Sequence, residues 1–236
     1  DEAAADIAPR NGEPVSQGEV LRTLNDGARA GDWVVAAAGS PPGDLLKLWD
    51  PVPGGRVHIE FAFSCMGHEL PAGLGIRMAD PDAGEIYVVI GDGTYLLAAG
   101  ELATAVQEKL KVTIVLLVNG GYQSIHALQR STVGATLGTE FTDTDIDYVA
   151  NARSFGWSAR GVRDVDALAE ALREARDLDG PVLIAVDVAP YRGLLDAEAF
   201  WDLGVAEVSA RPPARAAADA QRRGRASQRD YGWRGT

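Results

Sequence analysis

Cysteine and histidine are scarce in this sequence, which contains one cysteine, Cys65, and three histidines. A single thiol excludes a disulfide framework within the chain. The three histidines, His58, His68 and His126, lack the mutual spacing that is typical of a metal site or a catalytic triad. Each is interpreted as a structural or surface residue, and neither a disulfide scaffold nor a zinc site is expected.

Long apolar runs are also missing. No run approaches the roughly 20 residues that are needed to cross a bilayer. Residues 1–6 are acidic and lack the basic start and apolar core of a signal peptide. We therefore expect a cytoplasmic protein without a membrane partner. The first residue is not Met, which indicates a trimmed chain or a piece of a longer one.

Basic residues are in the minority, and the net charge is −12. The segment 211–236 is the exception, because its seven Arg and two acidic residues give +5 and leave −17 for the remainder. An acidic body argues against nucleic acid as the main partner. It also opposes binding of a diphosphate unless a metal cation mediates the contact. The basic segment is interpreted as a solvated terminal helix, with an acidic partner surface or a nucleic acid as the alternative.

The sequence does contain a regular alternation of short apolar runs and helical patterns. The runs predict six strands, at 33–38, 56–61, 86–90, 112–118, 157–162 and 182–188. Helices are predicted at 17–30, with a capping box of Ser16 and Glu19, and at 44–49, 95–109, 122–129, 146–155 and 165–176. A polar loop is predicted at 131–144. This order predicts an α/β fold, in which a mostly parallel six-stranded sheet has helices on both faces.

Two turns with polar side chains follow neighbouring β-α-β strands, Gly-Asp-Gly-Thr at 91–94 and Asn-Gly-Gly at 119–121. A right-handed parallel crossover brings both turns to the same edge of the sheet, so Asp92 and Asn119 are expected side by side. A carboxylate, an amide and a glycine carbonyl are hard oxygen ligands, which suit Mg²⁺ or Ca²⁺ and not zinc. A lone Gly-Asp-Gly would be weak evidence, because both residues favour turns for local reasons.

The stretch 91–122 resembles the cofactor-binding motif of thiamine diphosphate enzymes, which is Gly-Asp-Gly, a spacer and Asn. The resemblance implies that Asp92, the Asn119 side chain and the Gly121 carbonyl hold Mg²⁺ (or Ca²⁺). The family often has two adjacent Asn, and here Val118 replaces the first, while Asn119 keeps the ligating position. The residues that the resemblance places at thiamine diphosphate are Gly39, Ser40, Ser64, Met66, Gly91, Gly93, Thr94, Asn119, Gly121 and Tyr122.

Met66 would be read in isolation as an ordinary core methionine. In the Ser-Cys-Met-Gly segment 64–67 it matches the bulky apolar residue that lies beneath the thiazolium in this family and forces the cofactor into its bent form. The resemblance also implies a substrate pocket. Its candidate residues are His68, Gln123, Ser124 and Ile125.

Segments 37–45, 60–67 and 119–125 narrow the resemblance to the trihydroxycyclohexane-dione hydrolase branch of the acetolactate-synthase-like group. The resemblance implies that 16–192 is a diphosphate-binding (PP) domain. Residues 1–15 are then a linker and 193–236 a helical, basic tail. The reaction implied is hydrolytic ring opening of a cyclic 1,2-dione, a small carbonyl substrate. The alternatives are decarboxylation and carboligation of 2-oxo acids, as in acetolactate synthase, or a non-catalytic subunit.

Enzymes of this family also need a pyrimidine-binding (PYR) domain, which supplies the glutamate that activates the cofactor. A chain of 236 residues leaves no room for it, and Glu60, Glu69 and Glu101 do not fall in the required context. No catalytic residue is therefore assigned within this chain, which is expected to be inactive alone. It is either the C-terminal part of a longer polypeptide or a subunit with a separate PYR partner, in a complete unit expected to be a dimer or tetramer.

Overall fold

Six strands form one parallel sheet in the computed structural model, which describes residues 14–60, 62–141, 144–190, 204–206 and 208–228. The strands are β1 (Trp33–Ala36), β2 (Arg56–Ile59), β3 (Ile86–Gly91), β4 (Thr113–Val118), β5 (Ser158–Val162) and β6 (Val182–Asp187). Their order is β2-β1-β3-β4-β6-β5, and every pairing between them is parallel. The predicted six-stranded α/β fold is confirmed, and the sheet is wholly rather than mostly parallel.

Helices connect the strands and cover both faces of the sheet. In chain order they are α1 (Gln17–Asp26), α2 (Pro41–Leu48), α3 (Glu69–Ala79), α4 (Asp92–Ala98), α5 (Glu101–Gln107), α6 (Gln123–Val133), α7 (Tyr148–Ser154), α8 (Val165–Ala175) and α9 (Pro212–Ala226). The predicted capping box at the start of α1 is confirmed, because Ser16 Oγ accepts from the Glu19 N–H and the Glu19 carboxylate accepts from the Ser16 N–H.

The central strands are buried on both faces, which explains their continuous apolar runs. Successive side chains of β4 alternate between two cores, so that Val115 and Leu117 join one and Ile114 and Leu116 the other. Helices α1, α2 and α8 close the first core with Leu21, Leu24, Leu45, Leu168 and Leu172. Helices α3, α5 and α7 close the second core with Leu70, Leu74, Leu102, Ala105 and Ala152. Both faces of the sheet are therefore buried under helices, and the ends of its strands remain accessible for ligand contacts.

Several predicted helix boundaries are wrong, because α1 ends at Asp26 instead of residue 30, and α2 begins at Pro41 instead of residue 44. The predicted helix 95–109 is two helices, α4 and α5, which are separated by a turn at Ala99 and Gly100, and α4 already begins at Asp92. Apolar periodicity continues across this turn and so does not reveal it. The predicted loop from 131 is helical as far as Val133, and in this last turn the hydroxyl of Thr132 donates to the Leu128 carbonyl.

The chain divides into two compact units. The first, Asp1–Gln123 with Glu140–Leu195, contains the sheet. The second, Ser124–Thr139 with Asp196–Thr236, contains α9 and all of α6 after Gln123. Val15, at the end of the predicted linker, is buried and bridges Val188 in parallel. The other boundaries of the predicted linker, domain and tail lie outside the described residues and stay predictions.

No helix in the described part of the chain combines the length and the hydropathy that a membrane crossing requires. The helix of the basic segment, α9, carries arginines along its length and is exposed at most positions.

Gly73 and Gly75 in helix α3 allow a matched test of packing. A Cβ atom on Gly73 would lie 2.6 Å from Cγ2 of the buried Val88, whereas a Cβ atom on the exposed Gly75 would meet nothing within 4 Å. Gly73→Ala is therefore expected to lower the free energy of unfolding by about 1–3 kcal/mol. Gly75→Ala should raise it by about 0.5–1 kcal/mol, since Ala favours helices. Urea unfolding of both variants checks this, and equal stabilities would contradict the packing argument.

Candidate functional site

The carboxyl ends of three adjacent strands form the candidate site. Strands β1, β3 and β4 are neighbours in the sheet. After β1 the chain passes first to β2 on one side and later to β3 on the other, so the strand order switches direction between β1 and β3. Ligands of open α/β sheets bind in the crevice at such a switch point. The predicted Gly39–Ser40, 91–94 and 119–122 segments all follow these three strands.

Asp92 links two of these strands. It is the first residue of α4 and is 1% exposed. One carboxylate oxygen, Oδ2, accepts from the N–H groups of Asn119 (3.0 Å) and Gly120 (2.7 Å). The other, Oδ1, accepts from those of Gly93 (2.7 Å) and Gly121 (3.3 Å). Burial raises the pKa of the Asp92 carboxyl, and these backbone N–H groups oppose the rise. The carboxylate thus holds the turn after β4 against the start of α4.

The Asn119 side-chain amide and the Gly121 carbonyl lie beside this carboxylate. In one orientation of the Asn119 amide, its oxygen lies 3.1 Å from Asp92 Oδ1 and 3.0 Å from the Gly121 carbonyl oxygen. Such close acceptors repel one another unless a cation lies among them or the amide rotates. After rotation the amide nitrogen donates to both oxygens. Carboxylate, amide and carbonyl oxygens are the ligands of hard cations, so the residues present fit Mg²⁺ or Ca²⁺.

The turn after β4 is held from several sides. Gly120 and Gly121 both have positive φ values, 78° and 145°, a conformation that favours glycine. The Gly120 carbonyl accepts from the Phe141 N–H at 2.9 Å. The Gln123 side-chain amide donates to the Asn119 carbonyl at 2.8 Å, and its backbone N–H donates to the Gly121 carbonyl at 3.0 Å. Gln123, predicted as a pocket residue, therefore braces the turn that carries Asn119.

Gly93 has a packing reason to be glycine. A Cβ atom at this position would lie 2.7 Å from two ring carbons of Tyr122. The Tyr122 ring in turn packs edge-on against Phe141, with 5.2 Å between ring centroids. The resemblance placed Gly93 at the cofactor and did not indicate this packing. Thr94 follows it in the first turn of α4 and is buried.

Ser40, after β1, belongs to a buried polar chain that the sequence did not reveal. Its hydroxyl donates to Gln17 Oε1 at 3.0 Å, and Gln17 Nε2 donates to Asp44 Oδ2 at 2.6 Å. The preceding Gly39 has a φ of +85°. Gln17 stands at the start of a helix, where a polar residue is ordinary, so no local signal marks its contact with Ser40.

The loop after β2 carries Ser64 and Met66. Ser64 has a φ of +51°, and Met66 is 39% exposed. The next residue, Gly67, packs against α4, because a Cβ atom there would lie 3.5 Å from Cβ of Ala98. The loop therefore lies beside the helix that Asp92 begins, and the assignment of Met66 beneath a thiazolium stays a prediction.

Two of the histidines lie together, although their spacing in the sequence did not indicate this contact. Nε2 of His58 lies 2.9 Å from Nε2 of His68, and the rings are tilted by 31°. The first histidine is in β2 and the second precedes α3, so the return of the chain from β2 to α3 brings them together. Their sequence separation matches no known motif, which is why the pair was missed.

The remaining predicted pocket residues, Ser124 and Ile125, lie in the first turn of α6, in the second unit, and Ile125 is 48% exposed. Their role at a substrate stays a prediction. Among the described residues, no group of three or more His, Cys, Asp or Glu side chains could hold a metal ion. The candidate cation site of this part of the chain is therefore the mixed set of a carboxylate, an amide and a carbonyl.

Comparison with known proteins points to one family. Residues 37–186 match the family "Thiamine pyrophosphate enzyme, C-terminal TPP binding domain". The 3D-(3,5/4)-trihydroxycyclohexane-1,2-dione hydrolase of Shouchella clausii (strain KSM-K16) is 34% identical over 204 residues, which cover 84% of this chain and 32% of that protein. The enzyme of the same name from Listeria monocytogenes serotype 4b (strain F2365) is 35% identical over 202 residues, 82% of this chain and 31% of that protein.

The chain spans about a third of the length of these curated relatives. Among solved structures, the thiamine diphosphate-dependent 4-hydroxybenzoylformate decarboxylase of Rhodococcus jostii RHA1 is similar with a TM-score of 0.70 and 26% identity. That similarity covers 77% of this chain and 34% of the decarboxylase chain. The family match extends over more than half of the chain and includes Asp92 and Asn119, and the chain therefore belongs to the thiamine pyrophosphate enzyme family, of which it contains the C-terminal TPP-binding domain.

Proposed function

We propose that this chain binds thiamine diphosphate through Mg²⁺, with Asp92, the Asn119 amide oxygen and the Gly121 carbonyl as the protein ligands. The observation that carries the proposal is that one end of the Asn119 amide lies 3.1 Å from Asp92 Oδ1 and 3.0 Å from the Gly121 carbonyl oxygen. Mg²⁺ is usually bound by one or two carboxylates together with the phosphates of a ligand, which fits the single carboxylate of Asp92 and a diphosphate. Ca²⁺ usually takes about six to eight oxygen ligands. Ca²⁺ is therefore the second choice.

The charge of the chain supports a metal-mediated contact. Outside its basic C-terminal segment the chain is strongly acidic, and the buried Asp92 carboxylate would repel a bare diphosphate. A divalent cation inverts that local electrostatic balance. When bound, thiamine diphosphate stabilises a carbanion at its thiazolium carbon and so supplies the chemistry of C–C bond cleavage or formation. The residues of this chain bind and orient the diphosphate end.

For the complete enzyme we propose hydrolytic C–C cleavage of a cyclic 1,2-dione. The names of the curated relatives support this substrate class. The alternative is decarboxylation or carboligation of a 2-oxo acid, and the name of the solved decarboxylase supports that class. Incubation of the complete enzyme with a cyclic dione and with a 2-oxo acid distinguishes the two. Formation of an open-chain acid from the dione would support hydrolysis. Release of CO₂ from the 2-oxo acid, with no product from the dione, would contradict it.

We also propose that a PYR domain completes the active site and supplies the activating glutamate, either as a separate chain or as another part of the same polypeptide. The share of the relatives' length that this chain spans supports this proposal, because about two thirds of each relative has no counterpart here. The complete unit is proposed to be a dimer or tetramer.

Removal of divalent cations tests the cofactor proposal. Chelation is expected to weaken thiamine diphosphate binding on the order of 100-fold or more, since an uncompensated buried charge costs about 3–5 kcal/mol. Tryptophan fluorescence or calorimetric titration of the chain, with its PYR partner, measures the affinity. Mg²⁺ should restore binding at lower concentrations than Ca²⁺. Equal affinity with and without chelator would contradict the metal site, and no binding at any Mg²⁺ concentration would favour a non-catalytic subunit.

A further inference from the structure

Glu69 is a buried carboxylate with no place in the proposed cofactor site. It is 1% exposed in the first turn of α3. Oε1 accepts from the Ala38 N–H at 2.8 Å, and Oε2 accepts from the Gly67 N–H at 3.1 Å. Burial raises the pKa of the Glu69 carboxyl, and these N–H groups oppose the rise. The side chain thus joins two loops that are distant in the sequence.

Each of the two loops carries a residue of the candidate site. Ala38 directly precedes Gly39 and Ser40 at the end of β1, and Gly67 directly follows Met66. A second, weaker contact joins the same loops, since Ser64 Oγ lies 3.5 Å from the Ala37 carbonyl oxygen. The hydrogen bonds of the Glu69 carboxylate are therefore shorter than the Ser64 contact between the loop after β1 and the loop after β2.

The chemistry of this position favours a specific role. A buried carboxylate is costly unless its oxygens are hydrogen-bonded, and an apolar side chain here would leave the Ala38 and Gly67 N–H groups without their acceptor. An amide has a single acceptor oxygen, so Gln could satisfy only one of the two N–H groups, whereas a carboxylate satisfies both. Glu is thus the side chain that can hold both loops at once.

We propose that Glu69 is a positioning residue. It holds the loop after β1, which contains Ser40, and the loop after β2, which contains Met66, at the separation that thiamine diphosphate requires. The inference rests on the proposed function and on the family resemblance, which implies that Gly39 and Ser40 of the first loop lie at the cofactor and Met66 of the second lies beneath its thiazolium. Loss of the carboxylate lets the loops separate. Binding then requires them to be brought back together, which weakens the affinity without removing any cofactor ligand.

Glu69→Gln tests this, with Glu85→Gln as the matched control. Glu85 is a buried carboxylate at the opposite edge of the sheet, where it pairs with Lys111 at 2.8 Å and accepts from Thr113 at 3.1 Å. Both variants replace a buried acid by its amide. Glu69→Asp is a third variant, which keeps the charge but is one methylene shorter and is therefore expected to lose at least one of the two contacts. Urea unfolding of each variant corrects the comparison for overall stability.

Two measurements follow on the same proteins. Hydrogen exchange of the Ala38 and Gly67 amides in the cofactor-free chain is expected to accelerate roughly 10-fold or more in both Glu69 variants. Thiamine diphosphate affinity at saturating Mg²⁺, in the chain with its PYR partner, is expected to fall about 10- to 100-fold in them. Glu85→Gln should change neither quantity beyond its effect on stability.

The outcomes separate this inference from the proposed function. Amide exchange and affinity in Glu69→Gln that match those of Glu85→Gln would overturn the positioning role, while binding by the unmodified chain would still support the proposed function. Absence of binding by the unmodified chain itself would overturn the proposed function. Amide exchange would then decide alone whether Glu69 couples the two loops.

Discussion

Replacement of Asp92 by Ala is expected to weaken Mg²⁺-dependent thiamine diphosphate binding by at least about 100-fold. The change removes the only charged ligand of the proposed cation site and leaves the diphosphate without its metal. It also removes the acceptor for the N–H groups of Gly93, Asn119, Gly120 and Gly121. Two of these donors belong to the buried residues Gly93 and Gly121. Because an unsatisfied buried donor costs about 1–3 kcal/mol, the free energy of unfolding should fall by about 2–6 kcal/mol.

Two further variants make this experiment decisive. Asp92→Asn keeps the size of the side chain and one acceptor oxygen, so it separates loss of charge from loss of shape. Asp187→Ala is the control, because Asp187 also ends a strand beside β4 but is exposed and pairs with Arg163 at 2.9 Å. Titration with cofactor at fixed Mg²⁺ should show a large loss for both Asp92 variants and none for Asp187→Ala. An unchanged affinity in Asp92→Asn would refute the assignment of the metal ligand.

Arg176→Met is expected to lower the free energy of unfolding by about 3–5 kcal/mol, because it leaves a buried carboxylate without its partner. Arg176 and Asp32 have side chains that are 13% and 5% exposed. The guanidinium makes two contacts with the carboxylate, at 2.5 and 3.2 Å, and donates to the Gly27 carbonyl at 2.9 Å. It also lies over the Tyr87 ring, 5.6 Å from the centroid.

The control for this second prediction is Arg163→Met, which breaks the exposed pair with Asp187 and should change stability by less than about 1 kcal/mol. The double variant Arg176→Met with Asp32→Asn should recover part of the loss, since it removes the unpaired charge. Unfolding in guanidinium chloride measures the stability of Arg176→Met, Arg163→Met and the double variant. The pair lies at the amino ends of β1 and β3, opposite the candidate site, so cofactor affinity should not change. A loss below about 1 kcal/mol in Arg176→Met would contradict the buried-pair argument.

Only part of the candidate site could be predicted from the sequence. The adjacency of Asp92 and Asn119 follows from two strand ends joined by a helix-length segment, since parallel crossovers always return to the same edge. The structure places both residues as that rule requires. The contacts of Gln17 with Ser40 and of Glu69 with Ala38 and Gly67 were not predictable, because nothing in their local pattern marks them.

The sequence by itself determined the six strands, their parallel arrangement and the edge at which the polar turns meet. These features depend on the periodicity of apolar residues and on the handedness of β-α-β units, which are local properties of the chain. The tertiary structure alone decided which side chains meet across elements. It brings His58 to His68, places the Tyr122 ring over Gly93 and sets Glu69 between two loops. Such contacts depend on how helices and loops pack at close range, and no spacing within the sequence specifies that packing.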